Sequence, residues 1–284
     1  MKLKNNQAEK NLVGVNMRKS KLSAKSLLKK ISYKNHLKNK KMSKIGDLTV
    51  CEEDFEIENL DVLSSPNDSK LEVNKEIAYE NLKNLLDNTS SCQISDALSK
   101  ITKRDGVIQG IKAINGKTAY GRIVTVKTSS DDWGTSLLGI DEANKGNILF
   151  IETTGPISAI WGELTSSCSQ EKKLAGTVIL GAVRDIDFVS DSEYPVFARE
   201  TTSNAGTALG LGEINIPLRI EKNGDIVINP GDFIFADKSG VVHVPQEQFF
   251  EIMIKTLEIK INESNILCGI EKGKSLSEIL GLKR

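Results

Sequence analysis

Thr154-Gly155-Pro156-Ile157-Ser158-Ala159-Ile160-Trp161-Gly162-Glu163-Leu164, followed by Gly176-Thr177-Val178-Ile179-Leu180-Gly181-Ala182-Val183-Arg184-Asp185, decides the fold. It reads as a turn, a helix over Ile157–Leu174 and a β-branched strand over Thr177–Val183 that ends on an Arg-Asp pair. In open α/β sheets, functional groups collect beyond the carboxyl ends of the strands. Asp185 offers hard oxygen donors there. Arg184 offers a planar cation that can hold a carboxylate or steady a developing enolate oxygen. The chain has two histidines, so a metal at this point takes oxygen ligands, which favours Mg²⁺ or Mn²⁺ over zinc. Taken alone, the dipeptide reads first as a surface ion pair.

Working outward, Ile77, Leu82, Leu85 and Leu86 have helical spacing, and Ser95-Asp96 before Ala97-Leu98 reads as the start of a short helix. Strands are expected at Ile108–Ile114, Gly121–Val126, Asn147–Ile151, Tyr194–Phe197, Glu213–Ile220, Asp225–Ile228, Phe233–Ala236 and Val241–Val244. Pro230-Gly231-Asp232 supplies a turn between two of them. Gln246–Glu271 and Ser275–Leu280 read as helical. Strands with interspersed helices predict an α/β layered domain. Gly206–Gly212 is glycine-rich, but its spacing does not fit a nucleotide-binding loop and it reads as a turn-rich connection.

Charge divides the chain differently. Residues 1–44 carry fourteen Lys/Arg and one acidic residue, Glu9; the whole chain has 38 of each sign, which leaves 24 basic and 37 acidic residues in the remainder. The first segment reads as a disordered basic tail with a transient helix around Leu22–Ile31. An acidic run over residues 47–61 and the linker-like Ser64-Ser65-Pro66-Asn67-Asp68-Ser69 follow. The expected organisation is a basic-then-acidic tail and linker over residues 1–72 and an α/β domain over residues 73–284. The acidic body argues against nucleic acid as partner of the core, and leaves RNA or a protein partner open to the tail. Met17 and Met42 are alternative starts. Cys51, Cys92, Cys168 and Cys268 are scattered, which fits neither a disulfide framework nor a zinc site. His243, within an alternating strand, reads as structural. No apolar run approaches the about 20 residues that span a bilayer. The tail is acid-poor like a transit peptide but has a single arginine, Arg18, so the default location is cytoplasmic.

Five motifs stand in order along the chain: Trp-Gly-Glu-Leu (161–164), Gly-Ala-Val-Arg-Asp (181–185), Tyr-Pro-Val-Phe-Ala-Arg (194–199), Pro-Gly-Asp (230–232) and Ala-Asp-Lys-Ser-Gly-Val-Val-His-Val-Pro (236–245). Weaker matches stand at Ser95–Leu98, Gly121–Val126 and Gly273–Leu276. This series resembles the RraA-like family, which includes the regulator of ribonuclease E activity A and the 4-hydroxy-4-methyl-2-oxoglutarate aldolases. The resemblance covers roughly residues 77–282. It implies a swivelling β/β/α domain assembled as a homotrimer with sites between subunits.

The family's aldolases place an acidic residue, twenty residues and then Arg-Asp; here Glu163 is followed by residues 164–183 and then Arg184-Asp185. By that resemblance Asp185 binds Mg²⁺ or Mn²⁺, Glu163 holds metal-bound water as the catalytic base, and Arg184 binds the 2-keto oxygen of a small 2-oxo acid. The backbone N–H groups around Gly162, Leu164 and Thr165 receive the pyruvate carboxylate at the helix start, where unpaired donors favour an anion. The family's usual second leucine is Thr165 here, which a backbone contact tolerates. Glu263, on the C-terminal helix, is a candidate for the acidic residue that a neighbouring subunit contributes.

The implied activity is that of a class II, metal-dependent pyruvate aldolase or oxaloacetate decarboxylase. The alternative is a non-catalytic regulator that binds a ribonuclease or another protein through the trimer surface. A Schiff-base route through Lys172 or Lys173 is a weaker alternative, since both fit a solvent-facing helix. The demethylmenaquinone methyltransferase label sometimes attached to such proteins finds no nucleoside-binding glycine loop here.

Overall fold

The computed structural model describes residues 83–220 and 226–282, with the backbone of a short hairpin before them. The chain divides into two units, Met1–Asp87 and Asn88–Arg284. In the first, β1 (Met42–Ile45) pairs antiparallel with β2 (Leu48–Cys51), and residues 83–87 are helical. The rest of the expected tail, including the Leu22–Ile31 helix and the start of the Ile77–Leu86 run, lies outside the described residues.

The second unit is built on a mixed sheet. Four parallel strands form its centre: β5 (Ala119–Ser129), β6 (Ile148–Thr154), β8 (Gly176–Val183) and β9 (Val196–Thr201). The antiparallel hairpin β13 (Phe233–Asp237) and β14 (Gly240–Val244) extends the sheet beyond β5. Two dipeptide strands finish the edges, β3 (Val107–Ile108) against β14 and β4 (Lys112–Ala113) against β9. Because β3 and β4 lie only a few residues apart in the chain yet hold opposite edges, the sheet must curl until its edges approach each other. The single strand expected over Ile108–Ile114 is therefore two, parted at Gly110, whose φ of 75° suits glycine.

Each face of the curled sheet buries its own core. Strand alternation sends Ile123, Ile148, Phe150, Val178, Leu180 and Phe197 to the inner face. The hairpin β11 (Leu218–Ile220) and β12 (Ile226–Ile228) packs there through Leu218, Ile220 and Ile228. Val124, Val126, Leu149, Ile151 and Ile179 face outward. They are covered by Ile140 of α2 (Gly134–Glu142) and Val189 of α4 (Ile186–Asp191).

Helix α1 (Ser91–Thr102) starts four residues before the expected Ser95, at a capping box in which Ser90 and Gln93 satisfy each other's backbone N–H. Asp237 accepts from the Ser91 N–H and hydroxyl and ties this helix to the end of β13. The long α5 (Phe249–Glu271) packs on α1, and α6 (Leu276–Ile279) closes the described chain. The run Glu213–Ile220 is broken into β10 (Glu213–Ile214) and β11, with Pro217, which has no N–H to donate, between them.

Candidate active site

The carboxyl ends of all four central strands point the same way, and the candidate site lies at the end of β8. The stretch expected as one helix over Ile157–Leu174 is instead a strand and a helix. β7 (Ala159–Trp161) adds in parallel to the last residues of β8, and α3 (Glu163–Glu171) starts two residues later. Ala159, Ile160 and Trp161 are all buried, which an amphipathic helix would not require. The Trp161 indole N–H donates to the Ser166 hydroxyl at 2.9 Å and fixes the strand against the helix.

This arrangement brings Gly162, Glu163 and Thr165 beside Arg184 and Asp185. Asp185 is in the left-handed region at φ 55°, uncommon for a residue with a side chain. Its Oδ2 accepts from the Glu163 N–H at 3.1 Å and from Arg184 Nε at 3.4 Å. Gly162 makes the approach possible: a Cβ there would lie 2.4 Å from Asp185 Oδ2 and 3.1 Å from Arg184 Cγ. The Thr165 hydroxyl accepts from the Gly162 N–H at 2.9 Å and donates to the Gly162 carbonyl at 3.0 Å, locking the turn. The N-cap residue Gly162 has no side chain to cap α3, and the Asp185 carboxylate takes the first N–H of the helix, that of Glu163, where the positive end of the dipole favours an anion. Leu164 is 75% exposed. The Arg184 and Asp185 side chains are half-exposed, so their ion pair alone is worth about 0–1 kcal/mol. A surface pair of that strength does not explain a left-handed aspartate fitted against an obligatory glycine.

The donor set fits a hard cation that retains most of its water. Among the described residues no group of three His, Cys, Asp or Glu side chains gathers to hold a metal; Asp185 is the carboxylate fixed at this corner, with Glu163 beside it in the chain's fold. Its Oδ2 is engaged by Glu163 and Arg184, while no hydrogen bond from a described residue reaches Oδ1. Mg²⁺ accepts one or two carboxylates with water and substrate oxygens completing its shell.

Other sequence candidates lie elsewhere. Glu263 sits on α5, where its carboxylate accepts from Gln93 Nε2 at 2.5 Å. Lys172 donates its ammonium to the carbonyls of Ile140 and Asp141 at the end of α2, a structural cap rather than a nucleophile. His243 is buried, with Nε2 2.8 Å from Asp232 Oδ2. Asp232 also accepts from the N–H groups of Asn229 and Gln246, so the dyad braces a turn, in keeping with the structural reading of His243.

Sequence reasoning missed Asp132. This 2%-exposed carboxylate accepts from the backbone N–H groups of Gly134, Leu209, Gly210 and Leu211 and from the Thr135 hydroxyl. Burial alone would raise its pKa; the bonds from Thr135 and the 209–211 loop outweigh that and hold the carboxyl far below the usual carboxylate range. Asp132 thus organises the glycine-rich loop read only as a connection. Next to it, Ser158 donates to Asp131 Oδ1 at 3.0 Å and accepts from Asn204 Nδ2 at 2.9 Å, tying the loops after β5, β6 and β9 together at this end of the sheet. The available signal was Asp132-Trp133-Gly134-Thr135, an acidic residue ahead of a helix start.

A curled mixed sheet with an Arg-Asp corner at the end of a parallel strand, facing a helix N-terminus, defines the class of protein. The family model described as RraA-like, Aldolase/RraA, matches residues 91–243, and the chain belongs to that family. It is 36% identical over 205 residues to an uncharacterized protein of Methanocaldococcus jannaschii, covering 70% of this chain and 94% of that one. A Halalkalibacterium halodurans protein provisionally named a 4-hydroxy-4-methyl-2-oxoglutarate aldolase is 32% identical over 163 residues, 57% of this chain and 75% of that one. The crystal structure of an uncharacterized Pseudomonas syringae protein superposes with a TM-score of 0.60 at 27% identity, covering 69% of this chain and 96% of that one. No helix among the described residues is long and apolar enough to cross a membrane.

Proposed function

We propose that the chain is a divalent-metal-dependent lyase that cleaves or decarboxylates small 2-oxo acids to pyruvate, as a 4-hydroxy-4-methyl-2-oxoglutarate aldolase or oxaloacetate decarboxylase does. The observation that carries this reading is the fit of Asp185 against Gly162 and the Glu163 N–H, beside Arg184 at the start of α3. The aldolase name of the Halalkalibacterium relative supports the same class.

In this reading Asp185 would hold Mg²⁺ or Mn²⁺, which would supply Lewis-acid polarisation of the 2-oxo group. The N–H groups of Leu164 and Thr165 receive the substrate's carboxylate at the helix start. The Arg184 guanidinium stabilises the oxygen on which negative charge develops as the carbon-carbon bond breaks, an electrostatic contribution that often dominates a barrier. Glu163 accepts the 4-hydroxyl proton in the aldol case, directly or across one water. A homotrimer, with an acidic residue such as Glu263 supplied by a neighbour, completes the proposal.

The test is a coupled pyruvate-release assay with oxaloacetate and 4-hydroxy-2-oxo acids, with and without Mg²⁺. Turnover that disappears on chelation and in Asp185→Ala, with folding intact, supports the reading. An undiminished rate after chelation refutes it. A regulator acting through its surface is the second reading, favoured by the exposed Leu138, Leu209 and Leu211 near Asp132. It predicts partner binding that survives Asp185→Ala and no pyruvate release.

A further inference from the structure

Helix α3 is held to the fold without a buried apolar side chain. Its buried residues are Thr165, Ser166 and Ser169, and its one leucine, Leu164, is exposed. An apolar stripe is the usual anchor of a helix; here the place of the first turn depends on hydrogen bonds instead. Two adjacent hydroxyls make them. Ser166 accepts from the Trp161 indole N–H across the turn. Thr165, 4% exposed, accepts from the Gly162 N–H at 2.9 Å and donates to the Gly162 carbonyl at 3.0 Å.

Gly162 is the single residue between two anchored segments. On one side the Trp161 carbonyl accepts from the Arg184 N–H at 2.9 Å, which ties β7 to the end of β8. On the other the Glu163 N–H donates to Asp185 Oδ2 at 3.1 Å. The two backbone dihedrals of Gly162 therefore set where the Glu163 N–H, and with it the Asp185 carboxylate, stands relative to Arg184. Glycine has more conformational freedom to lose than any other residue. The corner nevertheless requires glycine, since a Cβ would lie 2.4 Å from Asp185 Oδ2. Binding both polar groups of that residue to one buried hydroxyl removes the freedom that glycine brings. The leucine usual at this position in the family could make neither bond.

We propose that Thr165 is a positioning residue: its hydroxyl latches Gly162 and thereby holds Asp185, through the Glu163 N–H, where the carboxylate takes up a divalent metal. The hydroxyl acts through Gly162 and touches no reacting atom. Resting on the lyase reading of the Arg184–Asp185 corner, this adds a side chain that sets how tightly the metal is held. Partners that orient a metal ligand typically change affinity about 10- to 100-fold when they are altered.

The experiment compares Thr165→Val, which keeps the branched shape and loses the hydroxyl, with Thr165→Ser, which keeps the hydroxyl and loses the methyl group. Mn²⁺ titration of the full chain, followed by the electron paramagnetic resonance of the free ion, gives affinity without turnover. Amide hydrogen exchange at Glu163 in metal-free protein reports whether that N–H still holds Asp185. Thr165→Val is expected to bind Mn²⁺ about 10- to 100-fold more weakly and to exchange the Glu163 amide about 10-fold faster, the scale of one lost hydrogen bond. Thr165→Ser is expected to stay close to wild type in both, which a residue that merely fills space would not do. If Thr165→Val does not fold, Thr165→Ala, smaller and also without a hydroxyl, carries the same expectation. Wild-type Mn²⁺ affinity in a hydroxyl-free variant overturns the assignment, whatever the exchange rate, and so does a Thr165→Ser variant as weak as Thr165→Val. A wild type that takes up no Mn²⁺ refutes the metal reading of the corner, and Glu163 exchange then decides separately whether the hydroxyl holds Asp185. Unchanged exchange in the hydroxyl-free variant shows that it does not.

Discussion

Gly162→Ala tests whether the corner is a built site or an incidental ion pair. The added methyl carbon would stand 2.4 Å from Asp185 Oδ2, where 3.4 Å is the lower end of ordinary contact, so the carboxylate has to retreat by about 1 Å. That shift stretches the 3.1 Å bond from the Glu163 N–H beyond hydrogen-bonding range. A misplacement of about 1 Å in a catalytic group can lower the rate by about 10²-fold. Stability changes far less, because the Arg184–Asp185 pair is half-exposed and worth about 0–1 kcal/mol; a shift of about 2–4 °C in Tm is the expected scale. Steady-state pyruvate release and a thermal melt on the same preparation give the two numbers. A variant with wild-type kcat/KM would refute the reasoning, because the aspartate's position would then be irrelevant to turnover.

Arg184→Ala should lower kcat as well as kcat/KM, by about 10²–10³ if the guanidinium meets charge that develops in the transition state. Arg184→Lys should recover only part, which steady-state kinetics on both variants will establish. Stability should fall in acid: the Asp132 and Asp232 carboxyls are held below their ordinary range, so their contribution is complete above the unfolded value of about 4 and is lost as pH falls through the folded values. Thermal melts from pH 7 to pH 3 should drop below about pH 4, and Asp132→Asn should flatten that drop while destabilising the fold by about 2–4 kcal/mol at neutral pH. We further propose that residues 1–72 are dispensable for the catalytic domain. Deleting them should leave turnover and the light-scattering mass per subunit array unchanged, and loss of either would count against that division.

The central strands were legible as short unbroken apolar runs, as in Ile148 to Ile151 and Val178 to Leu180, which suit parallel strands buried on both faces, and the Arg184-Asp185 corner was legible because chemistry-bearing residues sit at a strand end. Helices α2 and α4 and strand β7 were not. Helix α2 escaped because it contains Gly134 and Gly139, poor helix formers. The fold requires both: a Cβ on Gly139 would lie 2.5 Å from Val126 Cγ2 and one on Gly134 2.7 Å from the Leu209 N–H nitrogen. Close packing imposed residues that erase the local helix signal. β7 was read as helix because Ile157, Ile160 and Leu164 have helical spacing. Its true partner, β8, comes fifteen residues later in the chain than its end, and no local window contains that pairing. The start of α1 was a misreading rather than an absent signal, since Ser90 and Gln93 already form the capping pattern.

The distribution of hydrogen bonds separates structural from available carboxylates, which the sequence could not do. Asp132, Asp232 and Asp237 occur in turns and at strand ends much as Asp185 does. Each of those three has both oxygens filled by the protein's own donors: the 209–211 loop with Gly134 and Thr135, the 229 and 246 amides with His243, and Ser91 with Ser239. Such carboxylates are spent on holding loops and helix starts, and their depressed pKa values follow from those bonds. Asp185 differs. One oxygen is steadied by the Glu163 N–H and Arg184, and the other accepts nothing from the described residues. A carboxylate fixed on one side and unspent on the other is suited to hold something the chain does not contain. With the Arg184 guanidinium beside it, the local charge favours an anion brought in beside a cation.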